Sequence, residues 1–199
     1  ENAGDVNGDN INDLVTLSTP YFSPPFLSYY DGTNGVLIRV TAAPAIANGA
    51  SSITSVGDLD NDGIFDTLIG YPYTFINPVD SITIVSSATG SLIFQANNPN
   101  PISTSFFGFS AANIGDFNGD SVSDFAVGAP GSGPAVGPLT PGTVYLYSGS
   151  NFQLIGTYSG TSATLEYFGK AIAGGDINGD GFSDIIVSAP RAGGGANGK

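Results

Sequence analysis

The sequence predicts an all-β fold of short antiparallel strands, and three observations predict it. Gly occurs 29 times and Pro 13 times among 199 residues, which breaks the chain into short elements joined by turns. No stretch of about 10–12 residues free of Gly and Pro keeps the 3.6-residue apolar period of a packed helix. One Asp-rich segment recurs four times, and each copy runs into a short apolar stretch of strand length. The apolar fraction of 41% is ordinary for a chain with a packed core.

The recurring segment sets the organisation, because an internal period outranks any local pattern. The copies are Asp5-Val-Asn-Gly-Asp-Asn-Ile-Asn-Asp13, Asp58-Leu-Asp-Asn-Asp-Gly-Ile-Phe-Asp66, Asp116-Phe-Asn-Gly-Asp-Ser-Val-Ser-Asp124 and Asp176-Ile-Asn-Gly-Asp-Gly-Phe-Ser-Asp184. Their starts lie 53, 58 and 60 residues apart. Positions 1, 5 and 9 are always Asp, position 3 is Asn or Asp, positions 2 and 7 are apolar, and Gly precedes position 1. The period divides the chain into repeats at about 1–47, 48–106, 107–167 and 168–199, the last of them partial.

The elements follow in order. Repeat one shows little of a first strand. After its loop come the apolar run ending at Pro20, then strands over Phe26–Tyr30 and Val36–Thr41 around Asp31-Gly-Thr-Asn-Gly35. Repeat two places strands at Ser81–Ser86 and Ser91–Ala96 around a Thr-Gly turn. Repeat three is complete, with strands at Ser110–Gly115, Asp124–Ala129, Thr143–Ser148 and Phe152–Tyr158. Its Ser148-Gly-Ser-Asn151 segment suits a hairpin turn. Repeat four stops after its second strand.

Charge and composition exclude several functions. Seventeen acidic residues face four basic ones, a net charge of −13. No basic stripe exists to neutralise nucleic-acid phosphates or anionic lipid. Without Cys or His there is no disulfide frame, no thiol chemistry and no imidazole base. No apolar run is long enough to insert in a membrane, and a chain starting at Glu1 is read as an excerpt or a processed product. Outside the loops only Glu1, Asp31, Asp80 and Glu166 are acidic. Asp80 and Glu166 are expected in solvent or turns, and an enzyme is the weakest functional class.

The remaining acids all lie in the four loops. Three or four carboxylates within nine residues repel one another unless a cation holds them. Oxygen ligands at alternate positions of a tight turn suit Ca²⁺, which takes six to eight oxygens in a flexible shell, better than strictly octahedral Mg²⁺. The expected ligands are the side chains of Asp5, Asn7, Asp9 and Asp13; Asp58, Asp60, Asp62 and Asp66; Asp116, Asn118, Asp120 and Asp124; and Asp176, Asn178, Asp180 and Asp184. Position 7 (Ile11, Ile64, Val122, Phe182) would offer its main-chain carbonyl and turn its side chain into the core. Up to four Ca²⁺ are expected. Ordinary Asx turns also use Asp, Asn and Gly, yet they do not demand Asp at the same three positions four times. An EF-hand is excluded, because its position-12 Glu is replaced by Thr16, Ile69, Val127 and Val187.

Phe107-Gly108, a strand, the loop and Gly128-Ala-Pro130 together resemble a complete FG-GAP repeat of the kind found in integrin α subunits. Phe168-Gly169 with Ser188-Ala-Pro190 is a near match; Asn48-Gly49 with Gly70-Tyr-Pro72 and a lone Ser18-Thr-Pro20 are looser. The resemblance implies four-stranded β-propeller blades, calcium-ligand roles in all four loops, and an extracellular or cell-surface location. Its count of strands predicts an incomplete propeller or a segment of a larger one. The loops join strands one and two, so the metals share one end of the blades. The family's opposite face binds macromolecules, which makes Tyr21, Phe22, Tyr71, Tyr73 and Phe75 candidate ligand contacts. A structural or adhesive calcium-binding module is the favoured function, with protein partners or self-association through open blade ends into a polymer. A glycan- or ligand-binding propeller is the alternative.

Overall fold

The computed structural model describes residues 1–20, 25–43, 49–72, 80–100, 105–131, 141–161 and 166–191, and these contain strands and turns but no helix. The first sheet holds β1 (Asn2–Gly4), β2 (Asp13–Ser18), β3 (Phe26–Tyr30) and β4 (Leu37–Ala42). The second holds β5 (Ser52–Ser55), β6 (Thr67–Tyr71), β7 (Ser81–Val85) and β8 (Leu92–Asn97). The third holds β9 (Ser110–Gly115), β10 (Asp124–Ala129), β11 (Thr143–Tyr147) and β12 (Leu154–Ser159), and β13 (Ile172–Gly175) pairs with β14 (Asp184–Val187). Every sheet runs in chain order with antiparallel neighbours.

The first repeat is not short of a strand. β1 pairs Asn2 with Leu14 and Gly4 with Asp13 across a bulge, and Glu1 and Val15 exchange main-chain hydrogen bonds beside it. Three residues are too few to show an alternating pattern, so only the backbone pairing reveals it. β5 likewise completes the second sheet.

Sheets stack through the alternation of the second strand in each. Val15 of β2, Leu68 of β6 and Ala126 of β10 face the following sheet. Their neighbours Ile69, Phe125, Val127, Ile185 and Val187 face the preceding one. Three apolar clusters result, one between each successive pair of sheets. The middle cluster is the most aromatic. Phe125 stacks on Tyr147 at 5.3 Å, and Phe94 of the second sheet meets Phe125 edge-on at 6.5 Å while stacking on Phe152 at 4.6 Å. Burying each such ring stabilises the fold by roughly 2–3 kcal/mol.

Close backbone approach locks the stack at the end away from the Asp-rich loops. Ser110 Oγ donates to the carbonyl of Gly169 at 2.7 Å, and a Cβ on Gly128 would fall on that same carbonyl oxygen. One sheet earlier, Ser52 Oγ donates to Gly108 O at 2.7 Å beside Gly70. Strands one follow one another, β1 against β5, β5 against β9 and β9 against β13. The described residues form an incomplete propeller of three four-stranded blades and one two-stranded half blade. A groove of about 380 Å³ lies against the half blade, lined by Val144, Tyr158, Phe168, Ile185 and Val187.

Candidate metal centres

Each Asp-rich loop is the tip of a strand-one to strand-two hairpin, and the four tips share one internal wiring. The position-1 carboxylate gathers amides. Asp5 Oδ1 accepts from Gly8 N at 2.7 Å and Asp9 N at 3.1 Å, and its Oδ2 accepts from Asn10 N at 2.7 Å. Asp116 and Asp176 accept the three equivalent bonds of their loops, and Asp58 accepts those from the position-5 and position-6 amides. Position 3 accepts from the position-5 amide, through Asn7, Asp60, Asn118 and Asn178. Position 5 accepts from the position-7 amide, as in Asp9 with Ile11, Asp62 with Ile64, Asp120 with Val122 and Asp180 with Phe182. Positions 4 and 6 have positive φ in all four loops, and this is why Gly and Asn recur there.

Position 9 closes the loop from its base. Oδ2 of Asp13, Asp66, Asp124 and Asp184 accepts the position-2 amides of Val6, Leu59, Phe117 and Ile177 at 2.8–3.0 Å. Asp13, Asp66 and Asp124 are fully buried. The side chains expected as ligands thus share one hairpin tip in each repeat, and among the described residues carboxylates converge within 4.8 Å at the second, through Asp58, Asp60 and Asp66.

One expectation about these loops fails. The position-7 side chains do not turn into the core: Ile11 is 47% and Phe182 70% exposed, and Ile64 and Val122 are only half-buried. The curl that aims their amides at position 5 swings the side chains outward. At position 2, Val6 packs on the first cluster and Leu59 on the second, whereas Phe117 and Ile177 are exposed.

A second contributor, unmarked in the sequence, is the turn between strands three and four, which antiparallel pairing returns to the same end. Ser86 Oγ donates to Asp62 Oδ2 at 3.2 Å, and Ser148 and Ser150 donate to Asp120 Oδ2 at 3.2 and 2.6 Å. Gly32 N and Gly149 N donate to Oδ1 of Asp13 and Asp124 at 2.9 and 3.0 Å.

The electrostatics follow. At Asp5 desolvation is the largest single effect and pushes upward, but the amides of Asn10, Gly8, Asp9 and Asn7 together outweigh it and hold the pKa below the usual value. The Ser150 hydroxyl and then the Val122 amide do the same for Asp120. Burial pushes Asp124 up despite the Gly149 amide. Asp66 is raised furthest, to about 7, by burial that the Leu59 and Ser87 amides only partly offset, with Asp60 and Asp62 adding repulsion.

The far-face candidates fare differently. Tyr21, Phe22, Tyr73 and Phe75 lie outside the described residues. Tyr71 is corrected: it is fully buried in the cluster between the first two blades, because β6 runs through it and period two puts it beside Ile69. Asp80 and Glu166 are also corrected, since both are buried. Asp80 accepts from Phe107 N at 3.1 Å and Ser105 Oγ at 3.2 Å, and Glu166 accepts from Thr161 Oγ1 at 3.5 Å.

The FG-GAP repeat profile matches residues 107–147 and 168–199, the third blade and the half blade. The chain carries FG-GAP repeats. Its relatives are integrin α subunits. Integrin alpha-V of Gallus gallus is 37% identical over 86 residues, 43% of this chain and 8% of the integrin. Integrin alpha-7 of Mus musculus is 29% identical over 163 residues, 75% of this chain and 13% of the integrin. The chain thus spans a small fraction of either relative. Among solved structures, Bacillus licheniformis rhamnogalacturonan lyase PL11 superposes with TM-score 0.61 at 15% identity, covering 94% of this chain and 39% of the lyase. The Dos1 propeller superposes with TM-score 0.54 at 15% identity, covering 81% of this chain and 37% of that one. These likenesses show the FG-GAP chain's propeller fold and nothing about chemistry.

The residues of the second Asp-rich loop fit a hard cation. Carboxylate oxygens of Asp58, Asp60 and Asp66 lie within 4.8 Å of one another. Asp66 Oδ1 is buried and makes no close hydrogen bond, the Ser87 amide lying only near enough to favour its charge, and a buried carboxylate held so loosely is stabilised by a positive charge.

Proposed function

We propose that this chain is an extracellular calcium-binding propeller segment with a structural or adhesive role, and that it carries no catalytic chemistry. The observation behind this reading is the recurrence of one carboxylate-lined tip on all four blade hairpins. Bound Ca²⁺ would supply positive charge and oxygen coordination at each tip. The side chains at positions 1, 3, 5 and 9 would hold it there, with the position-7 carbonyl. Binding of this kind adds directly to folding free energy. Millimolar extracellular calcium suits exposed loops with affinities of roughly 10⁻⁴–10⁻³ M.

Scanning calorimetry tests the reading. Chelation is expected to lower the melting temperature and added Ca²⁺ to restore it. Asp58→Ala and Asp116→Ala should each reproduce part of the loss. An unchanged melting temperature under EDTA would overturn the proposal.

Association through the outer blade faces is a second reading with its own support. Leu14, Leu37 and Val40 are exposed on the first sheet, and Ile186 on the half blade. Of these, Leu14 and Ile186 occupy the positions that Phe125 and Ala126 hold in the third blade, where they pack blade against blade. They fit an FG-GAP blade as partner, in this polypeptide or in another copy. Sedimentation showing a monomer at all concentrations, with or without calcium, would count against self-association.

A further inference from the structure

The junction between the second and third blades shows how a complete blade seats on its neighbour. There β11 runs beside β10, with Tyr147 opposite Phe125 and Tyr145 opposite Val127. Both tyrosines belong to the apolar cluster between the blades. Tyr145 meets Phe107 edge-on at 5.4 Å, and Tyr147 stacks on Phe125 at 5.3 Å. Under that cover Phe107, Phe125 and Val127 are fully buried. The half blade repeats these positions without the cover. Phe168, Ile185 and Val187 stand where Phe107, Phe125 and Val127 stand, and all three are only half-buried. Among the described residues β14 bonds to β13 alone. Its outer edge therefore keeps the main-chain donors and acceptors that β10 commits to β11. The groove of about 380 Å³ lies here, with Val144 and Tyr158 of the third blade as its other wall, and its size is that of a ligand pocket. Edge and groove continue the interface that Phe168, Ile185 and Val187 already make with the third blade.

We propose that β14 and this groove form an acceptor site for an extended segment of a partner polypeptide with aromatic side chains two residues apart. The segment pairs antiparallel with β14. Its aromatic side chains lie opposite Ile185 and Val187 and fill the groove, as Tyr147 and Tyr145 do opposite Phe125 and Val127. Main-chain bonds to the edge supply affinity, and the pockets for alternate side chains supply selectivity. Residues 192–199, Ala-Gly-Gly-Gly-Ala-Asn-Gly-Lys, hold no aromatic and do not match this pattern. The site is separate from the calcium tips and lies between blades rather than on their outer faces.

Fluorescence anisotropy with a labelled peptide Gly-Thr-Val-Tyr-Leu-Tyr-Ser-Gly, the sequence of residues 142–149, tests the site on the whole chain at fixed calcium. Saturable binding is expected, and a peptide with Ser in place of both tyrosines should bind at least about tenfold more weakly. Hydrogen exchange should slow at the β14 amides on binding and stay unchanged along β4, β8 and β12. Ile185→Lys should weaken binding at least about tenfold. Because that change also touches the packing of the half blade, Tyr158→Ser, at a position 52% exposed on the opposite wall, should weaken binding from the other side. Absence of saturable binding, equal binding of the two peptides, or protection along another edge would overturn the proposal. So would β14 amides whose protection without peptide rises with protein concentration, which would give the groove to a second copy of the chain.

Discussion

A carboxylate taken out of water must find donors or surrender its charge, and Asp80 does part of each. Burial raises its pKa to about 6, against the pull of the Phe107 amide and the Ser105 hydroxyl. A raised folded-state value makes a contribution to stability that is complete below about pH 4 and lost as pH rises through about 6. Asp80→Asn should flatten this dependence. Relative to the variant, the wild-type chain should lose about 2–3 kcal/mol between pH 4 and pH 7, as read from denaturant unfolding at fixed calcium. Nothing in the sequence marked Asp80 as buried, because a lone Asp before a strand reads as a turn. Tyr71 was more legible than its first reading allowed. The aromatic connection after it drew attention, yet its period-two spacing from Ile69 already assigned it to the core.

Among the elements, β10 was the plainest in the sequence. Its bounds over Asp124–Ala129 follow from the apolar run between loop and proline, and the structure reproduces them. Phe125→Ala removes the ring that stacks on Tyr147 and touches Phe94, and should cost roughly 3–5 kcal/mol in denaturant unfolding. The turn between β11 and β12 was legible as a hairpin but not as part of the metal tip, since its role depends on which end of the blade it reaches. Gly149→Ala would push a methyl into the Ser123 carbonyl and withdraw the amide from Asp124. The expected loss is roughly 2–4 kcal/mol, with weakened calcium binding at the third loop alone by calorimetric titration.

For the whole molecule, calcium should act as a distributed clamp. If each loop binds near 1 mM, raising Ca²⁺ to 10 mM adds on the order of 1.4 kcal/mol per occupied site. The melting temperature should climb gradually over that range rather than saturate at micromolar calcium. The four-fold loop announced itself because its chemistry is local in the chain. The docking of blade on blade did not, because it depends on which side of a strand each residue takes.

That sidedness has a further meaning. In the second strand of each blade, Val15, Leu68 and Ala126 look forward, while Thr67 and Ile69, Phe125 and Val127, and Ile185 and Val187 look back. The two surfaces of a blade are unlike, so only a front laid on a back repeats the packing already present between blades. Growth that reuses this packing is head-to-tail. Such contacts lead to rings when the rotation closes and to open fibres when it does not.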